Sequence, residues 1–133
     1  MSATYTAVTR GIRVSVQPQY LDSESDPDEN HYVWAYTIDI ENESQETVRL
    51  RTRVWKITDE KGLVEEVRGP GVVGQTPILK PGESFRYTSG CPLSTPSGIM
   101  AGSFQMTNED GDMFDVTVPA FSLDSPEGRR VMN

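Results

Sequence analysis

The longest alternation of apolar and polar residues in the chain runs from Tyr32 to Asn42. Tyr32, Trp34, Tyr36, Ile38 and Ile40 share one face, and Val33, Ala35, Thr37, Asp39 and Glu41 share the other. A period of two predicts a strand with one buried face. Ile12, Val14 and Val16 alternate with Arg13, Ser15 and Gln17 in the same way. Further strands are predicted over Val48 to Thr58, Val64 to Arg68, around Phe85 and Tyr87, over Ile99 to Thr107 and over Met113 to Val118, with an extra short one near Tyr5 to Val8. No stretch of ten residues carries a helical period. Turn residues separate the runs: the acidic Asp22 to Asn30, Asp59-Glu60-Lys61-Gly62, Lys80-Pro81-Gly82-Glu83, Pro92 to Gly98, and Glu109-Asp110-Gly111. The pattern predicts an all-β fold: an immunoglobulin- or fibronectin type III-like antiparallel β-sandwich of about seven strands, with a closed barrel as the alternative. Its expected core is Ile12, Val14, Val16, Trp34, Tyr36, Ile38, Ile40, Leu50, Phe104, Met106, Phe114, Val116 and Val118.

Three finer expectations follow from parity. Val48 and Leu50 are even and Trp55 and Ile57 odd, so one extra residue near Arg51–Val54 would keep both pairs inward as a β-bulge. The rival is Trp55 on the outer face. In the late hairpin, a three-residue loop Glu109-Asp110-Gly111 sets Met106 opposite Phe114 and Phe104 opposite Val116, with Gly111 left-handed. A two-residue turn would set Met106 opposite Asp115 instead. Finally, Tyr32–Asn42 and Val48–Thr58 are expected to pair as a hairpin over Glu43–Thr47. That register sets Ile40 against Leu50 inside, and Glu41 against Arg49 and Asp39 against Arg51 outside.

Composition agrees with the pattern. Valine (13), isoleucine (6) and threonine (12) far outnumber leucine (6) and alanine (5), as suits pleated sheets rather than helices. The 133 residues predict one domain, 1–133, with an ordered core of about 5–123 and a frayed polar tail, 124–133. The net charge of −8 argues against duplex nucleic acid and against an anionic membrane surface. The sequence shows neither a secretory pattern nor a run of transmembrane length. Cys91 is the sole cysteine, which fits a reducing cytoplasm. The expected location is therefore cytoplasmic.

Candidate chemistry is sparse. Gly69-Pro70-Gly71-Val72-Val73-Gly74 matches G-x-G-x-x-G, and Gly69 to Thr76 resembles a phosphate loop with Gln75 in the lysine position. Such loops work ahead of a helix N-terminus, but Pro77, Pro81 and Gly82 make a helix here improbable. Gly69, Gly71, Gly74, Gln75 and Thr76 remain the candidate anion or ligand loop, set against a plain glycine-rich connection. Asp26 to His31 begins like a calcium loop but has His31 in the glycine position and Thr37 in the last glutamate position. A solvated acidic loop is the simpler reading. A single histidine, His31, excludes a three-histidine zinc site, and Cys91 has no histidine or lysine close in sequence to activate it. No catalytic residue, metal site or cofactor is expected. Arg49, Arg51 and Arg53 form an alternate stripe, read as an anion or partner surface or, more simply, as the ion-paired outer face of the hairpin.

Several strings, in order, resemble the ApaG family: Val64-Glu65-Glu66-Val67-Arg68-Gly69-Pro70-Gly71-Val72-Val73-Gly74, Pro81-Gly82-Glu83-Ser84-Phe85, Tyr87-Thr88-Ser89-Gly90-Cys91-Pro92-Leu93, Thr95-Pro96-Ser97-Gly98, and Phe114-Asp115-Val116 with Pro119-Ala120-Phe121. The resemblance spans about Tyr5 to Leu123. It implies a fibronectin-like sandwich in a bacterial cytoplasmic protein linked to cobalt and magnesium efflux or resistance. Similar domains fused to eukaryotic F-box and polymerase-interacting proteins imply partner binding. The resemblance implies no catalytic residues, and its glycine motif falls on Gly69, Gly71 and Gly74. Relatives often carry a histidine where this chain has Val54. The resulting expectation is a non-enzymatic interaction module with a protein partner. A homodimer is plausible through sandwich edges. The alternative is a phosphate- or nucleotide-binding protein using loop 69–76.

Overall fold

In the computed structural model, which describes residues 3–127, nine strands follow the alternating runs. They are β1 (Tyr5–Thr9), β2 (Ile12–Tyr20), β3 (Tyr32–Asn42), β4 (Val48–Asp59), β5 (Val64–Pro70), β6 (Ile78–Leu79), β7 (Ser84–Leu93), β8 (Gly98–Thr107) and β9 (Met113–Leu123). One antiparallel sheet has the order β1-β2-β3-β7; the other has β5-β4-β8-β9, with β6 also paired to β4. The inward faces of the two sheets form a single β-sandwich core. Of the strands, β6 has no counterpart in the sequence reading, because two residues between prolines carry no period.

Each expected core residue is buried except Phe114, which is half-buried beneath the Arg10 guanidinium, 4.3 Å from its ring centre. Trp55 joins the core, edge-on to Tyr36, Phe104 and Phe121 at centroid distances of 5.5, 6.3 and 6.2 Å. The bulge that brings it inward lies where parity places it: Leu50 pairs with Met106 and Thr52 with Gln105, leaving Arg51 as the extra residue. Gly102 makes room for the indole, since a Cβ there would lie 2.7 Å from Trp55 Cε3. The late hairpin has its three-residue loop. Met106 pairs with Phe114, Phe104 with Val116, and Gly111 has φ +82°.

The expected β3–β4 hairpin does not form. β3 pairs with β2 and β7, whereas β4 pairs with β5, β6 and β8 in the opposite sheet. The segment 43–47 is an arch between layers. Fully buried Asn42 holds it: Nδ2 donates to Glu46 O (2.7 Å) and Leu79 O (2.9 Å), and Oδ1 accepts from Ser44 N (2.9 Å) and Ser44 Oγ (2.6 Å). The ion pairs change accordingly. Asp39 meets Arg86 across β3 and β7 at 3.6 Å, and Glu43 at the start of the arch meets Arg13 of β2 at 2.9 Å. Arg51 Nε donates to Thr107 Oγ1 at 3.1 Å. Alternation fixes which face is buried and is silent on which strand lies alongside.

The two sides of the sandwich close differently. On the β1/β9 side, Thr117 N donates to Thr9 Oγ1 (3.1 Å) and Ser122 N to Tyr5 Oη (3.5 Å). The start of the polar tail is docked rather than frayed. Trp34 Nε1 donates to Asp124 O at 2.8 Å, and buried Ser125 donates from Oγ to Pro96 O at 2.5 Å. The rest of that tail, 128–133, lies outside the described residues. On the β7/β5 side the layers stand apart, and a cleft opens between them.

Candidate functional site

The cleft begins with the bulge in β4. Because Arg51 is the extra residue, Arg53 and Trp55 both turn inward, and Arg53 pairs with Phe104 on one side and Gly69 on the other. Bulges commonly re-aim a side chain toward a site. Here the effect is to place a guanidinium between two sheets. Arg53 Nη1 donates to Pro70 O and Gly71 O, each at 2.9 Å. The guanidinium lies against Gly69, where a Cβ would sit 3.0 to 3.2 Å from its atoms. No carboxylate lies within ion-pair distance of Arg53 among the described residues.

The glycine motif forms the rim. No helix follows it; β5 ends at Pro70 and the chain reaches β6 through a tight turn. Val72 N donates to Gln75 O (2.8 Å) and Gln75 N to Val72 O (2.9 Å), closing a two-residue turn around Val73 (φ +44°) and Gly74 (φ +80°). Positive φ at both central residues is the type I′ arrangement. Gly71 has φ +60°, and a Cβ there would lie 2.3 Å from Gln75 O, so only glycine fits. Val72 is buried in the core; Val73 is 51% exposed. The loop is strapped to β4 by main chain and side chain. Gly71 N donates to Arg51 O (2.8 Å), and Arg49 donates to Thr76 O (3.3 Å) and Thr76 Oγ1 (3.0 Å).

The structure thus brings Gly74 to the cleft, while Gly69 lies against the Arg53 guanidinium, Gly71 is bonded to the Arg51 main chain, Gln75 is exposed and Thr76 is held by Arg49. The amides of Gly71, Val72 and Gln75 point to the chain's own carbonyls. The donors facing the cleft are side chains instead. Tyr36 comes from β3, Tyr87 and Ser89 from β7, and Arg53 from β4, around a volume of about 350 Å³. Tyr87 Oη is buried with no hydrogen-bond partner among the described residues. Burial raises the pKa of Tyr87, and of Tyr36, above the ordinary tyrosine range, with Arg53 opposing in both, so each remains a neutral phenol that can donate. Sequence reasoning missed Tyr36, Tyr87 and Ser89 as site residues because they sit in ordinary alternations. Arg53 was open to the same parity argument that turned Trp55 inward.

The other candidates lie elsewhere. The acidic loop folds into two short 3-10 turns, Asp22–Glu24 and Pro27–Glu29, and exposed His31 bridges to Asp26 through main-chain bonds. Among the described residues, no group of three or more His, Cys, Asp or Glu side chains could hold a metal ion. Cys91 is buried on β7 opposite Trp34, and burial pushes its thiol up to about 11. That is the opposite of an activated nucleophile.

Fold and cleft together define a two-layer β-sandwich domain with a polar opening between its sheets. Comparisons with known proteins give the family. The model of the ApaG domain matches residues 22–108. The chain is 62% identical over 129 residues to the protein ApaG of Brucella anthropi, covering 97% of this chain and 99% of that one. It is 57% identical to the protein ApaG of Parvibaculum lavamentivorans over the same shares. The crystal structure of an ApaA protein from Bordetella pertussis superposes with a TM-score of 0.83 at 46% identity, covering 91% of this chain and 95% of that one. The C-terminal domain of wzt shares the fold at 13% identity and a TM-score of 0.54. The chain belongs to the ApaG family.

Proposed function

We propose that this ApaG-family domain is a non-enzymatic interaction module of the bacterial cytoplasm. Its effect on cobalt and magnesium efflux or resistance, implied by the family, runs through a protein partner. No helix among the described residues is long and apolar enough to cross a membrane. That supports an effect on ion movement exerted through another protein.

The observation that carries this reading is Val73. A β-branched residue at φ +44° is strained, and the side chain bought no burial in exchange, being 51% exposed. Backbone strain of this kind persists only where the surroundings enforce it, and it concentrates at binding and switch sites. Arg49, the Arg51 main chain and Arg53 supply that enforcement. The loop therefore presents an apolar tip on a rigid mount, as a docking residue requires.

The test is affinity capture with the immobilised full chain from a bacterial lysate, read by mass spectrometry, alongside growth in cobalt. Val73→Asp should lose a specific partner and the cobalt phenotype together. Ile99→Asp, at an equally exposed valine-like position on β8 (53%), should lose neither. Equal capture by both variants would remove Val73 from the interface. Calorimetry with ATP, GTP and pyrophosphate addresses the alternative, a phosphate or nucleotide site on Gly69, Gly71, Gly74, Gln75 and Thr76. Micromolar binding lost in Gly71→Ala would favour it.

A further inference from the structure

The cleft holds donors that the fold itself does not use. Arg53 Nη1 commits both of its protons to Pro70 O and Gly71 O. The Nε and Nη2 groups of the same guanidinium carry three more N–H donors, and none has a hydrogen-bond acceptor among the described residues. Tyr87, only 7% exposed, lines the same cleft with an unpartnered hydroxyl. A buried donor left unpaired costs free energy that an apolar residue of the same shape would not. Phenylalanine would fill the site of Tyr87 without that cost.

Three features narrow the ligand. A guanidinium with a free Nε–Nη2 edge presents two parallel donors, the arrangement that binds a planar oxyanion side-on. Among the described residues Arg53 is the single cation lining the cleft, and the chain has a net charge of −8, which disfavours a polyphosphate. The volume of about 350 Å³ lies at the small end of ligand sites, and Trp55, Val72 and the tyrosine rings provide an apolar wall. We infer that the inter-sheet cleft binds a monoanionic carboxylate attached to a small apolar group, with Arg53 holding the carboxylate side-on and Tyr87 donating a further hydrogen bond.

Gly69 then has a specific part. Any side chain there would push against the Arg53 guanidinium, so its absence lets the cation lie flat against β5. The bulge at Arg51, the missing Cβ at Gly69 and the carbonyls of Pro70 and Gly71 together fix the orientation of one arginine. Such preorganisation reduces the ordering cost of binding.

Two carboxylate sources share this chemistry: a free small molecule and the C-terminus of a peptide. Phenylacetate represents the first and N-acetylphenylalanine the second, with the two corresponding amides as uncharged controls. The experiment is a titration of the ¹⁵N-labelled full chain followed by NMR. Saturable shifts at Gly71, Val72 and Ser89 are expected, with a dissociation constant of about 1 mM or tighter for at least one acid. The amides should bind at least about tenfold more weakly, as should the acids to Arg53→Gln. Tyr87→Phe should also weaken binding several-fold while its thermal midpoint stays level or rises, an outcome that a purely structural hydroxyl would not give. Tighter binding of N-acetylphenylalanine assigns the site to a chain terminus, and tighter binding of phenylacetate to a free metabolite. The inference is overturned if neither acid saturates by about 10 mM, if the amides bind as well as the acids, if Tyr87→Phe binds like the native chain, or if inorganic phosphate outcompetes both acids.

Discussion

Of the loops that turn the chain through glycines at positive φ, Gly69–Thr76 and Asn108–Asp112 are built on opposite principles. The late loop, Asn108 to Asp112, is shaped by its own groups, although Glu109 Oε1 also accepts a bond from Thr47 N at 3.3 Å. Gly111 N donates to Asn108 O, and Asn108 Oδ1 accepts from the amides of Asp110 and Asp112. Nothing lies within 4 Å of where a Gly111 Cβ would be. Its glycine answers to conformation alone. The loop Gly69–Thr76 is held from outside, by Arg49, Arg51 and Arg53 of β4. Its glycines answer to close approach as well: Gly71 to Gln75 O, Gly69 to a guanidinium. It also carries a strained valine where the late loop has a relaxed glycine. A loop that only reverses the chain is made from local rules. A loop that violates them and is clamped in place has been fixed for something other than turning.

The largest difference should appear between glycine substitutions. Gly71→Ala combines a left-handed backbone with a Cβ placed 2.3 Å from a carbonyl oxygen. It should cost about 3 kcal/mol in urea denaturation, from strain and overpacking together. A loss below about 1 kcal/mol would mean that the turn opens freely and that close approach does not define this loop. The strap comes next. Arg53→Met removes two hydrogen bonds to carbonyls and should cost about 1–2 kcal/mol. Combined with Gly71→Ala it should cost less than the separate effects together, because each releases the same segment. Full additivity in that double-mutant cycle would show the loop standing without its clamp.

Gly111→Val tests the late loop by itself. With open space around the Cβ, the cost is conformational, about 1–2 kcal/mol for a β-branched residue at φ +82°. Gly111→Asn should recover most of it, since asparagine tolerates the left-handed region. If asparagine is as costly as valine, contacts rather than φ govern Gly111, and the contrast with Gly71 disappears.

How far each region could be read from sequence follows the same division. The late hairpin was readable in full, because alternation on β8 and β9 admits one register in which Met106, Phe104, Phe114 and Val116 share a face. The bulge in β4 was readable from the parity conflict between Leu50 and Trp55. The β3–β4 pairing was not, since a buried face looks identical whether its strand lies beside a neighbour or across the core from it. The site divides similarly. Three glycines at short spacing announced an unusual loop, and the prolines after it announced the missing helix. The chemistry facing the cleft was hidden: Tyr87 is one more apolar position in a strand, and Arg53 reads as an exposed charge until the bulge is carried two residues further. Long-range placement by a bulge leaves a parity signal but no motif.

The smallest predicted effect separates the two loops by sign. At the first central position of a type I′ turn, asparagine is among the preferred residues and valine among the poorest, because a branched Cβ crowds the backbone at positive φ. Val73 occupies that position at φ +44° with about half its surface in water, so replacing it forfeits little burial. Val73→Asn should therefore stabilise the chain by about 0.5–1 kcal/mol, while substitutions away from glycine in either loop destabilise it. The urea midpoint should rise with an unchanged slope. A fall would mean that Val73 packs more than its exposure suggests and that the turn holds no strain to relieve. A rise accompanied by loss of the captured partner has a sharper meaning. A residue that weakens the fold and is required for binding is held in its strained conformation for that contact, and the arginine clamp is what holds it there.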